Sequence, residues 1–293
     1  MIKQQNKVAD PSRWVEDIIR DFCLNSPDNS LKNKENDRAF DSPIVGFSSG
    51  VDPLYLKLKK DIGPFYMTPL EIFERSFPSV PVRADELTVI SFILPLTKRT
   101  REDNRKETFH PSERWARAKH YGEEFSAKLC THVIGTLERA GYEAAAPAHT
   151  PLWSIATSER YGRASTWSQR HTAYVSGLGT FGLCDGLITD QGKAVRCDSI
   201  IARISISPTP RPYTDHHAYC LFYAYGTCGR CIERCPAGAI TTYGHDKVRC
   251  RAHVNDITQP YVKDHFDIDD YGCGLCQTGV PCEAHNPIQS PNE

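Results

Sequence analysis

Cys228-Gly229-Arg230-Cys231-Ile232-Glu233-Arg234-Cys235-Pro236 is the stretch from which the rest of this 293-residue chain is best read. Bacterial ferredoxins carry C-x2-C-x2-C-x3-C-P, in which the fourth cysteine ligates a different cluster from the first three. Here the last three of those positions are Cys228, Cys231 and Cys235. Ala237-Gly238-Ala239-Ile240 continues the run in ferredoxin style. The first ligand position falls on Tyr225, and phenolate is a rare ligand for such iron. Either that iron stays open or another thiolate replaces it, and Cys220 is available upstream.

Further cysteines follow as Cys250, Cys273-x2-Cys276 and Cys282. With Cys220 they bring the number in the last quarter to eight, the thiolates that two [4Fe–4S] clusters need. The ferredoxin pattern predicts a crossed pairing. Cys220, Cys228 and Cys231 share a cluster with Cys282, and Cys235 joins Cys250, Cys273 and Cys276 on the other. The last interval departs from the commonest spacing: Cys276-x5-Cys282 is longer than x3, and Pro281 precedes the cysteine. Structural zinc is the competing reading, since C-x2-C occurs twice. The Cys-Pro after x3, the Ala-Gly-Ala-Ile continuation and the ligand count all argue for iron–sulfur. Cys23, Cys130, Cys184 and Cys197 read as plain thiols, buried or near a site.

Twelve cysteines in a chain this long fall short of a disulfide scaffold. The start, Met1-Ile2-Lys3-Gln4-Gln5-Asn6, has no apolar core, twin arginine or cleavage site. The longest apolar run, residues 87–96, is too short to span a bilayer. A cytoplasmic protein is expected, and in a reducing cytosol clustered cysteines are ligands rather than disulfides. The net charge of −1 gives no global field that would draw in nucleic acid or an anionic membrane.

Asp10-Pro11 opens an amphipathic helix carrying Trp14, Ile18, Ile19 and Phe22. Residues 25–43 are polar and read as a surface loop. Thr68-Pro69-Leu70-Glu71 is a capping box for a short helix. Residues 87–94 are a buried strand by composition, and 98–110 a charged loop. The longest helix starts at Pro111 and stops at Gly141, with Ala118 and Gly122 leaving its inner stripe flat, as helix–helix packing would use. Thr166-Trp167-Ser168-Gln169 is a second capping box, for a helix ending at Gly177. Residues 186–189 and 195–206 look like a hairpin turned at Asp190-Gln191-Gly192. Interleaved helices and few strands give an α+β layer fold. A proline-rich linker at 207–212 marks the boundary to the cysteine-rich part.

Several blocks resemble the reductive dehalogenases and epoxyqueuosine reductases. Gly177-Leu178-Gly179-Thr180-Phe181-Gly182, Gly186-Leu187-Ile188-Thr189 and Val195-Arg196 resemble their "GLGxFG…LIT…R" block. Lys119-His120-Tyr121-Gly122 is similar to the "RDYH" stretch, and Tyr271-Gly272-Cys273-x2-Cys276-Gln277 to "YGCxxCQ". Ser165, Trp167, Ser168, Arg170, His171, Ala173 and Tyr174 match the Ser-x-Trp-Ser-x-Arg-His-x-Ala-Tyr motif of a shorter, epoxyqueuosine reductase-like branch.

The resemblance implies an N-terminal helical segment (1–78), a nitroreductase-like cobalamin-binding core (79–210) and a bacterial-ferredoxin-like two-[4Fe–4S] domain (211–293). It also implies base-off cobalamin, reduced by the clusters to cobalt(I). The cofactor-binding residues would be Trp167, Ser168, Tyr174, Gly177, Gly179, Phe181, Gly186, Leu187, Ile188, Thr189 and Arg196. The family's "DSGP" segment with its general acid is replaced here by Arg160-Tyr161-Gly162-Arg163-Ala164-Ser165. No helical-repeat domain follows Cys282, and with a near-neutral charge tRNA is not expected as substrate.

Trp167, Arg170, His171 and Tyr174 fall on one helical face by spacing. The helix dipole disfavours the His171 imidazolium, and a neutral imidazole exchanges protons near pH 7. Arg170 or Arg196 would hold an anionic group, and Tyr121 or His171 would supply a proton. The competing reading makes these residues a buried aromatic stripe.

The expected function is a reductase that passes electrons from a ferredoxin or flavodoxin, through two clusters and a corrinoid, to a small organic substrate. The alternative is an electron-transfer or reductive-activation protein for a partner. A flavin-binding ferredoxin fusion has less support: Gly177-x-Gly179-x-x-Gly182 follows a helix rather than a strand, so it is no dinucleotide fingerprint.

Overall fold

Asp10 opens α1 (Pro11–Asn25), its carboxylate accepting from the Arg13 N–H at 3.1 Å, with Pro11 where no amide is needed. The computed structural model describes residues 9–270 and 272–289, so the Met1–Asn6 start and Tyr271 lie outside it. The polar stretch after α1 does not stay at the surface. Leu31, Ala39 and Phe40 are fully buried, and the Asn29 amide donates to the carbonyls of Cys23 and Phe40. β1 (Ile44–Ser49), α2 (Pro53–Ile62) and α3 (Pro69–Ser76) follow, the last with the expected Thr68–Glu71 capping box. β2 (Thr88–Pro95) is the predicted buried strand.

The charged stretch from Lys98, expected as loop, is α4 (Lys98–Lys106). Thr97 caps it, while Thr100 and Asn104 turn inward beneath a solvated charged face. With no apolar stripe, nothing in its pattern marked a helix. α5 (Glu113–Arg139) is the long helix, capped by Ser112. Its flat spot seats no helix: the Phe40 ring fills it, and a Cβ on Gly122 would lie 2.6 Å from that ring.

β3 (Ala144–Ala145) and the hairpin of β4 (Ile155–Ser158) with β5 (Gly162–Ser165) lead to α6 (Gln169–Val175). The second capping box is not formed. The Thr166 hydroxyl donates to the Leu152 carbonyl and accepts from the Ser154 amide, so Ser168 becomes the N-cap and Trp167 precedes the helix. β6 (Thr180–Phe181) pairs with β7 (Leu187–Ile188), and β8 (Val195–Ala202) leaves to pair with β2. The expected 186–189/195–206 hairpin is therefore absent. Only Thr189 and Gly192 bridge across its turn, because the apolar residues of β8 are buried along the whole of β2 instead.

The sheet order is β1-β2-β8-β3, antiparallel throughout. Ile90, Phe92 and Leu94 share one face with Ile200 and Ala202 under α1 and α5. Val89, Ile93 and Ile201 share the other with Trp167, Ala173 and the cysteine-rich part. The period-two alternation serves two buried faces, which is why β2 reads as a continuous apolar run.

Residues 207–212 are a fixed crossing rather than a loose linker. Thr209 donates its N–H to the Phe47 carbonyl, and its hydroxyl accepts from the Phe47 amide, both at 2.9 Å. Beyond lie α7 (Leu221–Tyr225), α8 (Arg230–Glu233), the pair β9 (Ile240–Thr241) and β10 (Gly244–His245), α9 (Lys247–His253) and α10 (Gln259–Phe266). One π turn, Val254–Thr258, joins the last two helices where Pro260 lacks an amide to donate. No helix among the described residues is long and apolar enough to cross a membrane.

Candidate metal centre

Cys220, Cys228, Cys231 and Cys282 line one small enclosed cavity, with Leu183, Phe222 and Val280 among its apolar walls. These are the four thiols the crossed pairing assigns to one cluster. Cys220 caps the start of α7, whereas Tyr225 at the other end of that helix is 63% exposed. Cys220, and not Tyr225, is thus among the residues that line the cavity.

Cys282 is held by two backbone bonds to the segment just ahead of β8. Lys193 donates its N–H to the Cys282 carbonyl at 2.8 Å, and Ala194 to that of Glu283 at 3.2 Å. Gly192 permits the approach: at φ +77° it suits glycine, and a Cβ would lie 2.3 Å from the Glu283 oxygen. Glu283 is buried, taking two bonds from Arg105 (3.1 and 2.6 Å) and one from the Gly279 amide (2.6 Å).

The second set gathers likewise. Burial, with Cys250 and Cys235 close by, pushes the Cys273 thiol up to about 11, and Cys276 adjoins Cys273. Amide donors face these sulfurs: Ala239 to Cys235 at 3.3 Å, and Leu275 to Cys273. Such bonds favour the thiolate that iron requires. Arg234 braces the loop, with Nε donating to the carbonyls of Leu275 and Thr278 (3.2 and 2.9 Å). Its Nη atoms donate to those of Glu107 and Asn104 (2.8 and 3.2 Å). The two donor sets have the chemistry to hold two [4Fe–4S] clusters side by side. Cys184 lies where the sets meet. It hydrogen-bonds with Cys231 and Cys276, one from each set, which holds its thiol well below the usual range, and its sulfur lies 3.3 Å from Lys193 Nζ.

The glycine block, residues 177–196, packs as the platform beneath this centre. Gly177 (φ +79°) runs against the Pro210 carbonyl, 2.7 Å from a notional Cβ, and Gly179 against that of Ile188, at 2.2 Å. Phe181 donates its amide to the His216 carbonyl, and the Thr180 hydroxyl accepts from the Tyr219 amide. Leu187, Ile188 and Thr189 are buried, and Gly186 borders Cys184 and Lys193. Trp167 is fully buried, donating to the Ser199 hydroxyl at 3.0 Å between Tyr55 and Tyr66, and Tyr174 stacks on Tyr213.

The proposed proton donors lie in different surroundings. Tyr121 packs beside Ala116 and Val262 with Lys32 over its ring. His171 Nδ1 lies 2.8 Å from the Ser168 hydroxyl, its ring against Phe181. Burial first, then Arg170, pushes His171 down to about 4. The imidazole is thus neutral near pH 7, as expected, although desolvation is the chief cause. Arg170 donates to the Asp185 carbonyl at 2.7 Å. Burial lowers Arg196 against the opposing pull of Glu123, Asp270 and Cys197, and Arg170 adds the least. Arg196 Nε is buried without a hydrogen-bond partner.

No protein-family model matches the chain, and no curated protein does. Among solved structures, a catabolic reductive dehalogenase in complex with 3-bromo-4-hydroxybenzoic acid aligns with a TM-score of 0.51 at 13% identity, over 84% of this chain and 30% of its own. The fold is that of a reductive dehalogenase. An epoxyqueuosine reductase from Bacillus subtilis aligns at TM-score 0.49 and 17% identity, over 93% of this chain and 66% of its own. The chain thus spans under two thirds of either.

This dehalogenase-like fold also contains a cavity of about 500 Å³, bordered by Cys130, Ile134, Ala145, His149 and Leu152. Cys130, His149 and Asp198 bring donor atoms within 4.8 Å of one another there. Asp198 accepts from His149, Ser126 and Gln169 at 2.7 Å each and from the Ser199 amide at 2.8 Å. Those four bonds occupy its lone-pair sites, so it is a saturated strut between α5, α6 and β8. Sequence reasoning did not single out Lys193 or Arg234. Their only signals were a lysine directly after the Asp190-Gln191-Gly192 turn and an arginine between Cys231 and Cys235.

Proposed function

We propose that this protein is an iron–sulfur oxidoreductase holding two [4Fe–4S] clusters, one on Cys220, Cys228, Cys231 and Cys282, the other on Cys235, Cys250, Cys273 and Cys276. The observation that carries this reading is the cavity lined by the first four thiols, drawn from both ends of a 63-residue span yet facing one space. When bound, such clusters supply one-electron transfer. The chain's residues supply the ligands, amide donors to sulfur and an apolar wall against water.

Electrons from a low-potential ferredoxin or flavodoxin would leave to an anionic acceptor at Arg170 and Arg196. The buried Arg196 Nε, which has no hydrogen-bond partner, supports this placement. Neutral His171 accepts or relays a proton rather than donating one from an imidazolium.

A corrinoid does not fit the glycine block. Notional Cβ atoms at Gly177 and Gly179 meet the chain's own carbonyls, and Trp167, Leu187, Ile188 and Thr189 are core. The reductase reading therefore rests on the clusters and on the acceptor site at Arg170 and Arg196; without a substrate there, the protein would be the electron-transfer or reductive-activation alternative. Anaerobic protein should contain about eight irons and eight sulfides per chain, with Cys220→Ala and Cys273→Ala each losing about half. Bound zinc without sulfide would overturn the cluster assignment, and stoichiometric cobalt would overturn the exclusion of a corrinoid.

A further inference from the structure

One cation is buried among the thiols. Lys193 is 3% exposed and lines the cavity formed by Cys220, Cys228, Cys231 and Cys282. The groups acting on its charge are Cys184, Cys282, Cys276 and Cys231. An ammonium taken out of water costs several kcal/mol unless an anion answers it, and Cys184 Sγ, 3.3 Å from Nζ, is one group that can answer it as a thiolate. Four thiolates around a [4Fe–4S] core carry roughly two net negative charges oxidised and three reduced. A cluster on the four cysteines that line this cavity would bring a larger negative charge to the same lysine.

Its placement is over-determined. The backbone is tied to the Cys282 carbonyl, and Nζ lies 3.3 Å from Cys184 Sγ. Gly186 clears the way for the stem: a Cβ there would come within 3.3 Å of both Lys193 Cδ and Cys184 Sγ. Cys184 is not in either ligand set, yet it hydrogen-bonds with a ligand of each. The geometry points to Lys193, positioned by Cys184, as the fixed charge that sets the electron affinity of the cluster on Cys220, Cys228, Cys231 and Cys282. Reduction of that cluster adds one electron and no proton. The added negative charge forms beside a cation in a dry cavity, where its attraction is far stronger than in water.

This rests on the cluster assignment, and the two are separately testable. Wild-type protein without iron and sulfide would refute the assignment itself. With both clusters present, dithionite titration with mediators, followed by electron paramagnetic resonance, reads each midpoint. Lys193→Met should lower one midpoint by 59 mV or more, a tenfold change in the oxidised-to-reduced ratio for one electron. Lys193→Arg should keep most of the wild-type value. Full iron occupancy with an unchanged midpoint in Lys193→Met would overturn the proposal. Loss of iron in both Lys193→Met and Lys193→Gln would also overturn it, leaving a lysine that only holds the site together.

Discussion

Gly274, between Cys273 and Cys276, offers the sharpest test of the loop that carries the second ligand set. It sits at φ +65°, and a Cβ there would lie 1.9–2.2 Å from three atoms of the Trp115 indole. Trp115 is 3% exposed on α5, so the ring has nowhere to go. Alanine pays about 1 kcal/mol or more for the left-handed backbone. Forcing a methyl into a packed wall costs about 1–3 kcal/mol more, so Gly274→Ala should destabilise by about 2–4 kcal/mol. The loop can escape only by shifting, which takes Cys273 and Cys276 off their site and costs about half the iron. Gly272, on the other flank of Cys273, is the control. The atoms nearest its Cβ would be those of the Lys119 stem, at 3.2 Å, and its backbone is not left-handed. Gly272→Ala should cost about 1 kcal/mol or less. Denaturant unfolding and iron counting of both variants decide it. Equal damage from the two, or full iron and stability in Gly274→Ala, would refute the packing argument.

Cys220→Ala should halve the iron content while Tyr225→Phe changes nothing; the reverse result would restore the tyrosine to the ligand position. Arg234→Lys abandons most of a four-carbonyl clamp and should cost about 2–4 kcal/mol, measured as a lower denaturant midpoint. His171 titrates at about 4 in the fold against an ordinary 6.5, so the unfolded chain takes up the proton first. Its contribution to stability is complete above pH 6.5 and drains away as pH falls toward 4, by up to about 3 kcal/mol. His171→Gln should flatten the denaturant midpoint across that window, and an unchanged slope would count against burial as the cause.

That Cys220, Cys228, Cys231 and Cys282 come to one cavity was legible in their ferredoxin-like spacing. β2 was legible for a similar reason, a run of apolar residues long enough to need two covered faces. β1 was not, since Ile44–Ser49 has no alternation and becomes a strand only because β2 offers an edge. α4 hid behind its charges. The residues of the glycine block were found, but their motif alone could not distinguish a cofactor cradle from a packed platform. That difference lies in which atoms face the missing Cβ positions, and these belong to segments far away in sequence, such as Pro210 and Ile188. Lys193 needed the same long-range knowledge, because its thiol neighbours come from three separate loops.

The tie of Cys282 and Glu283 to Lys193 and Ala194 has a consequence for biosynthesis. The four thiols of the first cavity come from the segment around α7 and from a loop some fifty residues later, and that loop is held by backbone just ahead of β8. A nascent chain would therefore have to emerge past Cys282, and to have placed the β8 segment, before all four thiols could face one another. Metal offered earlier would meet only the three thiols of Cys220, Cys228 and Cys231.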